Sequence, residues 1–363
     1  MQAPAAMPPD LRAQLVAGSQ ALQNGDYPAA ETAFRHALKI DPNSTEVLNT
    51  LGIALARQGK EKEAIGFYDR ALKLKPGDPV TTRNLGVAYF RAQQYTKALP
   101  LLKSFAATTP NFQSLDLTGL ALYALERNRE AADYLERASQ MDPRDLTTLD
   151  MLGKAYYRAK EYDRVSDVFR RIMAVDPNSA AAHTMLGMAY DQKGREDEAE
   201  AEYQAAEKVD PAYMGVHSGL GIIYWKKGKF DQAAAQFRAE LKHYPNDPVS
   251  NYLSGEILRK QDKPAEAVPY LEAAIAANTR YPEALFELGK CRVLLNQPRD
   301  ALAPLQKAIS LKPDYTEAHY VLGSALRKLG RTAEAAKEQR IAEQIQVRAQ
   351  AEGVKRLGAE TLQ

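Results

Sequence analysis

Residues 180–213 read AAAHTMLGMAYDQKGREDEAEAEYQAAEKVDPAY. Gly187 is followed twelve residues later by Ala199, and the stretch closes on Asp210-Pro211. The same skeleton runs the length of the chain. Glycine stands at 18, 52, 86, 119, 153, 187, 221, 255, 289 and 323, with eight spacings of 34 and one of 33. Twelve residues after each comes a small side chain: Ala30, Ala64, Ala98, Ala131, Val165, Ala199, Ala233, Ala267, Ala301 and Ala335. Proline closes most repeats, at 42, 76, 110, 143, 177, 211, 245 and 313. A fixed period of this size marks a repeat array, here two helices, A and B, and a turn in each of ten repeats. The length of 363 residues alone suggests two domains, but the periodicity overrides that expectation.

A glycine inside a helix costs about 1 kcal/mol relative to alanine, so ten of them would cost on the order of 10 kcal/mol uncompensated. Close packing is the natural compensation. With no side chain on helix A at that point, helix B is expected to approach nearly to backbone contact. Leu186, Tyr190 and Tyr203 would fill the flanks in the sixth repeat.

This pattern resembles the tetratricopeptide repeat, whose signature is small residues at positions 8, 20 and 27 and proline at 32. The resemblance covers residues 11–346 in ten consecutive repeats in phase. Position 27 departs at Phe105, Ile172 and Glu240, and position 32 at Thr279 and Val347. The resemblance implies an all-α fold: a right-handed α-α superhelical solenoid of antiparallel helix pairs, with a concave groove lined mainly by the A helices. Residues 1–10 are expected to form a flexible segment and 11–346 one continuous solenoid. Residues 347–363 would continue the last helix as a polar cap and tail, with Gly353 as its stop.

Forty-eight basic and forty-six acidic residues leave a net charge of +2, no footprint for nucleic acid or an anionic membrane. No apolar run approaches the ~18 residues of a membrane span, so the chain reads as soluble. The single cysteine, Cys291, makes no internal disulfide and marks no redox compartment. The start Gln2-Ala3-Pro4-Ala5 has the form of a mature end left by signal-peptide removal, with Met1 added. The compartment is left open by the sequence: cytoplasmic, or periplasmic on that condition.

At about 100° per residue, positions 4, 7, 8 and 11 of helix A share one arc, and positions 2, 5, 6, 9, 12 and 13 share the opposite one. The second arc is the candidate partner-binding face: Asn84, Arg91, Leu117, Tyr123, Met151, Tyr157, Arg158, Met185, Met188, Ile222, Trp225 and Tyr252. Its methionines and aromatics make an apolar stripe, a surface suited to a helical or extended peptide. The competing reading makes the same residues core between neighbouring A helices. Position 13 is basic in six repeats, including Arg57, Arg91 and Arg158, but Asp116, Asp150 and Glu287 share that face.

Other chemistries find little support. The clamp that some family members use for chaperone tails needs Lys and Asn on one A helix, Asn on the next, and Lys with Arg on a third. Only Asn84 fits. Position 4 carries His183, His217 and His319, one per repeat and too far apart to share a metal ion, so they read as structural. Cys291 occupies a small-residue core position. No phosphate loop or catalytic triad spacing is present. The expectation is a scaffold or adaptor without enzymatic activity, cofactor or metal, its oligomeric state open. The alternatives are a substrate-recruiting subunit of an enzyme complex and a self-assembling solenoid. Glu240, standing where seven repeats have alanine, is expected to reach solvent or a basic neighbour, because a buried unpaired carboxylate costs several kcal/mol. Glu240→Ala would then be neutral or stabilising.

Overall fold

The computed structural model describes residues 7–360, with side chains through Ala351. Every regular element among them is an α-helix. The helices fall into two compact bodies, Met1–Asn178 and Ser179–Gln363. The first holds α1 (Pro9–Gln23), α2 (Tyr27–Ile40), α3 (Thr45–Arg57), α4 (Glu61–Leu74), α5 (Pro79–Arg91), α6 (Tyr95–Thr108), α7 (Phe112–Ala124), α8 (Asn128–Met141), α9 (Leu146–Arg158) and α10 (Tyr162–Val175). The second holds α11 (Ala180–Gln192), α12 (Glu196–Val209), α13 (Val216–Lys226), α14 (Phe230–His243), α15 (Pro248–Lys260), α16 (Pro264–Ala277), α17 (Pro282–Leu294), α18 (Pro298–Leu311), α19 (Thr316–Lys328) and α20 (Thr332–Glu360). Odd-numbered helices are the A helices and even-numbered ones the B helices. Within each body, each A helix packs on its own B helix and each B helix on the following A helix.

Capping explains where most A helices start. Ser44, Asp78, Asn111, Asp145, Ser179 and Asp247 each accept a hydrogen bond from a backbone N–H in the first turn of α3, α5, α7, α9, α11 and α15. Asn111 and Ser114 form a reciprocal capping box, so the 33-residue third repeat absorbs its missing residue in the loop before α7. Each A–B turn also passes through one residue with positive φ, at position 15. Gly25, Gly59, Gly194, Gly228 and Gly330 take it in five repeats, and Gln93, Glu126, Lys160, Asp262 and Asn296 in the other five. The five non-glycine turns had no sequence signal in the glycine pattern.

The position-8 glycines do not meet backbone alone. Except at Gly323, which meets the Ala335 carbonyl oxygen and Glu338 Cβ, a side chain sixteen residues on, at position 24, lies over the glycine. It is aromatic at Phe34, Tyr68, Phe169, Tyr203 and Phe237, and leucine at 102, 135, 271 and 305. A Cβ on Gly119 or Gly255 would also lie 3.3 Å from the carbonyl oxygen of Ala131 or Ala267. The small residue at position 20 thus gives the close approach, and the position-24 side chain fills the notch. Tyr203 is held on two sides, its ring against both Gly187 on α11 and Gly219 on α13.

Two expectations are corrected. Gly353 does not end the last helix, which continues to Glu360; a mid-helix glycine costs only about 1 kcal/mol and here adopts no turn. Glu240 does not reach solvent or a base. It is 1% exposed, and its carboxylate accepts from the backbone N–H of Gly215 at 2.8 Å and of Ser218 at 3.1 Å. The reason lies at the start of α13. The loop Ala212–Gly215 supplies no capping side chain, Gly215 turns at φ 88°, and α13 begins late, at Val216. Glu240 on α14 takes the place of the missing cap, satisfying N–H groups that a helix start leaves unpaired.

Candidate functional site

The twelve candidate residues divide between the two bodies. In the first, Asn84 on α5 donates to Asn49 Oδ1 on α3 at 3.0 Å and accepts from Arg83 Nε at 3.3 Å. Exposed Arg91 lies 3.8 Å from Glu61. Leu117 and Tyr123 on α7, and Met151 and Tyr157 on α9, are all half-buried. The Arg158 guanidinium sits 4.3 Å from the centre of the Tyr123 ring, a cation–π contact, and Tyr157 meets Tyr162 edge-on at 5.5 Å.

In the second body, Met185 and Met188 are half-buried on α11. Ile222, Trp225 and Tyr252 pack against the core formed by Ala233, Phe237, Leu253 and Ile257. Lys260 caps the outer side of this group, its Nζ 5.2 Å from the Trp225 ring and 5.3 Å from Phe230. The indole Nε1 of Trp225 is enclosed without a hydrogen-bond partner among the described residues. Tyr252 meets Tyr281 at a tilt of 47° with ring centres 5.0 Å apart, and burial, with Glu256 and Glu287 nearby, pushes its hydroxyl well above the usual tyrosine range.

Position 6 of the arc does not line a surface throughout. Gly219, Leu253 and Glu287 are buried, because α13, α15 and α17 contact one another directly. Glu287 forms an ion pair there with Arg259 of the preceding A helix, both largely buried. This pair joins position 12 of one repeat to position 6 of the next, a spacing that the separate reading of each helix overlooked. A carboxylate and guanidinium taken out of water together are retained only with close mutual contact.

The histidines sit in one recurring contact. His183, His217 and His319 share hydrogen bonds with Glu202, Gln236 and Glu338 at 2.7, 2.6 and 2.6 Å, each nineteen residues on and joining helix A to helix B. No group of three or more potential metal ligands converges among the described residues. Cys291 is buried, and that burial, with Glu287 adding to it, pushes its thiol up to about 11. Scarce thiolate slows thiol chemistry, so Cys291 in the folded protein is expected to react with a disulfide reagent on the order of 100-fold more slowly than in 8 M urea. Rapid stoichiometric labelling of the native protein would contradict the burial.

Tetratricopeptide-repeat profiles match residues 15–79, 218–278, 252–296 and 292–346, and two further such profiles match 122–189 and 189–228. The profile of anaphase-promoting complex, cyclosome, subunit 3 matches 57–138. Among similar curated proteins, the peroxisomal targeting signal receptor of Kluyveromyces lactis is 30% identical over 138 residues, 38% of this chain and 24% of that one. The photosystem I assembly protein Ycf3 of a Synechococcus strain is 36% identical over 75 residues, 20% of this chain and 43% of that one. The chain thus spans less than half the length of either relative. Yeast Tom70 is a similar solved structure, with TM-score 0.49, 14% identity, and coverage of 96% of this chain and 89% of that one. The glycine, alanine and proline periods, the paired helices and profile matches across more than half of its length place the chain in the tetratricopeptide-repeat family.

Proposed function

We propose that the protein is a non-catalytic scaffold that holds a helical or extended peptide segment of a protein partner against its A-helix faces. In the first body the face comprises Asn84, Arg91, Leu117, Tyr123, Met151, Tyr157 and Arg158. In the second it comprises Met185, Met188, Ile222, Trp225 and Tyr252. One observation carries the reading: in successive repeats the same arc sets half-buried methionines and aromatics beside cations, as with Arg158 over Tyr123 and Lys260 over Trp225. Half-buried anchors lose little further freedom when a ligand covers them, and methionine adapts to irregular apolar surfaces. The names of the relatives, a receptor and an assembly protein, support a binding role. The buried thiol and the core-bound histidines leave these groups out of surface chemistry. No helix is long and apolar enough to cross a membrane among the described residues, and the balanced charge favours no nucleic acid.

The test is a random peptide library displayed on phage and panned against the full chain, with recovered peptides titrated while the emission of Trp225, the single tryptophan, is followed. Peptides seated on the second body should shift that emission to shorter wavelength and lose about 1–3 kcal/mol of affinity for Met188→Ala, and those on the first body should lose as much for Tyr123→Ala. Recovered peptides that leave the emission unchanged and bind both variants as tightly as the wild type would overturn the assignment of the A-helix faces.

A further inference from the structure

A cleft of about 470 Å³ opens in the second body, lined by the B helices α14 and α16 with α15 between them. The preceding repeat shows why it is open. There Lys227 donates to Asp197 and Glu200 of α12, both at 2.7 Å, and Tyr224 is hydrogen-bonded to Gln204 and Glu200 with Lys229 5.6 Å from its ring. Thirty-four residues on, Asp231 keeps the place of Asp197 and Lys263 that of Lys229, but Gln261, Ala234 and Leu258 replace Lys227, Glu200 and Tyr224. Position 7, leucine in seven repeats including Leu220, is Ser254 here. The hollow is what remains of an interlocked cluster after an ammonium, a carboxylate, a phenol ring and a leucine have been taken out of it.

Exposed charges alone usually mark only a solvated face, and Asp231, Lys263 and Glu266 at the rim are exposed. Two observations set this cleft apart. Ser254 borders it and is 6% exposed, and its Oγ is enclosed with no hydrogen-bond partner among the described residues. The rim is also unengaged. The side chains of Asp231, Lys263 and Glu266 make no ion pair or hydrogen bond among the described residues, and Arg238, which takes the place of Gln204, donates only to the Ala234 carbonyl of its own helix at 3.2 Å. Charges of both signs around an apolar floor of Ala234, Ile257 and Leu258 suit a ligand that carries both signs on an apolar body.

We propose that this cleft binds a free α-amino acid with a phenol side chain, tyrosine being the simplest. One such molecule returns the three polar groups that this repeat has lost. Its ammonium takes the place of the Lys227 ammonium beside Asp231, and its carboxylate takes the place of Glu200 over Ala234, with Lys263 to neutralise it. Its ring replaces that of Tyr224 over Ile257 and Leu258, and its hydroxyl meets Arg238, where Tyr224 meets Gln204. A zwitterion holds its two charges on one carbon, and the cluster it replaces likewise keeps an ammonium and a carboxylate in contact. The site lies on the B helices and stands independently of the A-helix face.

Saturation-transfer NMR on the full chain, titrated with L-tyrosine, L-phenylalanine and N-acetyl-L-tyrosinamide, tests this. Tyrosine should bind about tenfold more tightly than N-acetyl-L-tyrosinamide, which lacks both charges, and about fivefold more tightly than phenylalanine, which lacks the hydroxyl. Ser254→Leu and Gln261→Lys each restore a residue of the preceding repeat, so each should weaken tyrosine at least about tenfold while the melting temperature stays at or above that of the wild type. Asp231→Asn, at an exposed position where packing is not at stake, should weaken it about tenfold. Tyr123→Ala, in the first body, should leave tyrosine binding unchanged. The absence of a saturable tyrosine signal would show that the hollow holds only water and would overturn the proposal. So would equal affinities for the three compounds, unaltered binding to Asp231→Asn, or a loss of tyrosine binding in Tyr123→Ala.

Discussion

Glu240→Ala is expected to destabilise the second body by about 2–4 kcal/mol, because it removes a charged acceptor from one buried and one part-buried N–H group at the start of α13. The loss should be local first. Hydrogen exchange at Val216–Leu220 should accelerate before exchange in α17–α19, since stability in a repeat array is a sum over neighbours. Glu240→Gln, which keeps one acceptor oxygen but presents an amide donor to the other N–H, should fall between. A melt of Glu240→Ala at or above the wild-type temperature would show that water replaces the carboxylate without cost.

Gly187→Leu should be at least as damaging, about 3 kcal/mol or more, through overpacking. A Cβ alone at Gly187 would come within 3.0 Å of the Tyr203 ring. Most such rings could retreat a few tenths of an ångström, but Tyr203 has Gly219 of α13 immediately behind it. The ring therefore has nowhere to move, and the strain passes to both A helices. Tyr203→Ala in the Gly187→Leu background should recover part of the loss, since the leucine then occupies the vacated space. Equal melting temperatures for the wild type and Gly187→Leu would refute the close contact.

Residue identity alone made the scaffold legible because its constraints repeat. Gly187, Ala199 and Pro211 each have counterparts in phase, and each has a steric reason that does not depend on distant context. Tyr203 was read as filling the flank of Gly187, but its counterparts at position 24 in the other repeats, from Phe34 to Leu305, were equally visible and were not drawn into the pattern. Glu240 was misread for a different reason: its partners are peptide N–H groups, which have no letter in a sequence, and they become available only because α13 starts late. The five non-glycine turns, such as Gln93 and Glu126, were hidden because glycine marks only half of them. The candidate face was the least legible part. Whether Met185, Ile222 or Gly219 meets solvent depends on how neighbouring A helices cover one another, and helical periodicity in one repeat carries no information on the next.

The pairing of each glycine with a side chain from its own repeat bears on how such a chain can change in length. A duplication or excision of a full 34-residue period returns each such glycine to an aromatic or leucine side chain that fits it. A shift of one or two residues inside a helix would turn that side chain away and set a glycine against a neighbour it cannot seat. The one irregularity of the period, the short third repeat, falls in the loop before α7, where the Gly86–Leu102 contact is not disturbed. Adding or removing a whole hairpin thus preserves this packing, while slippage within one would break it.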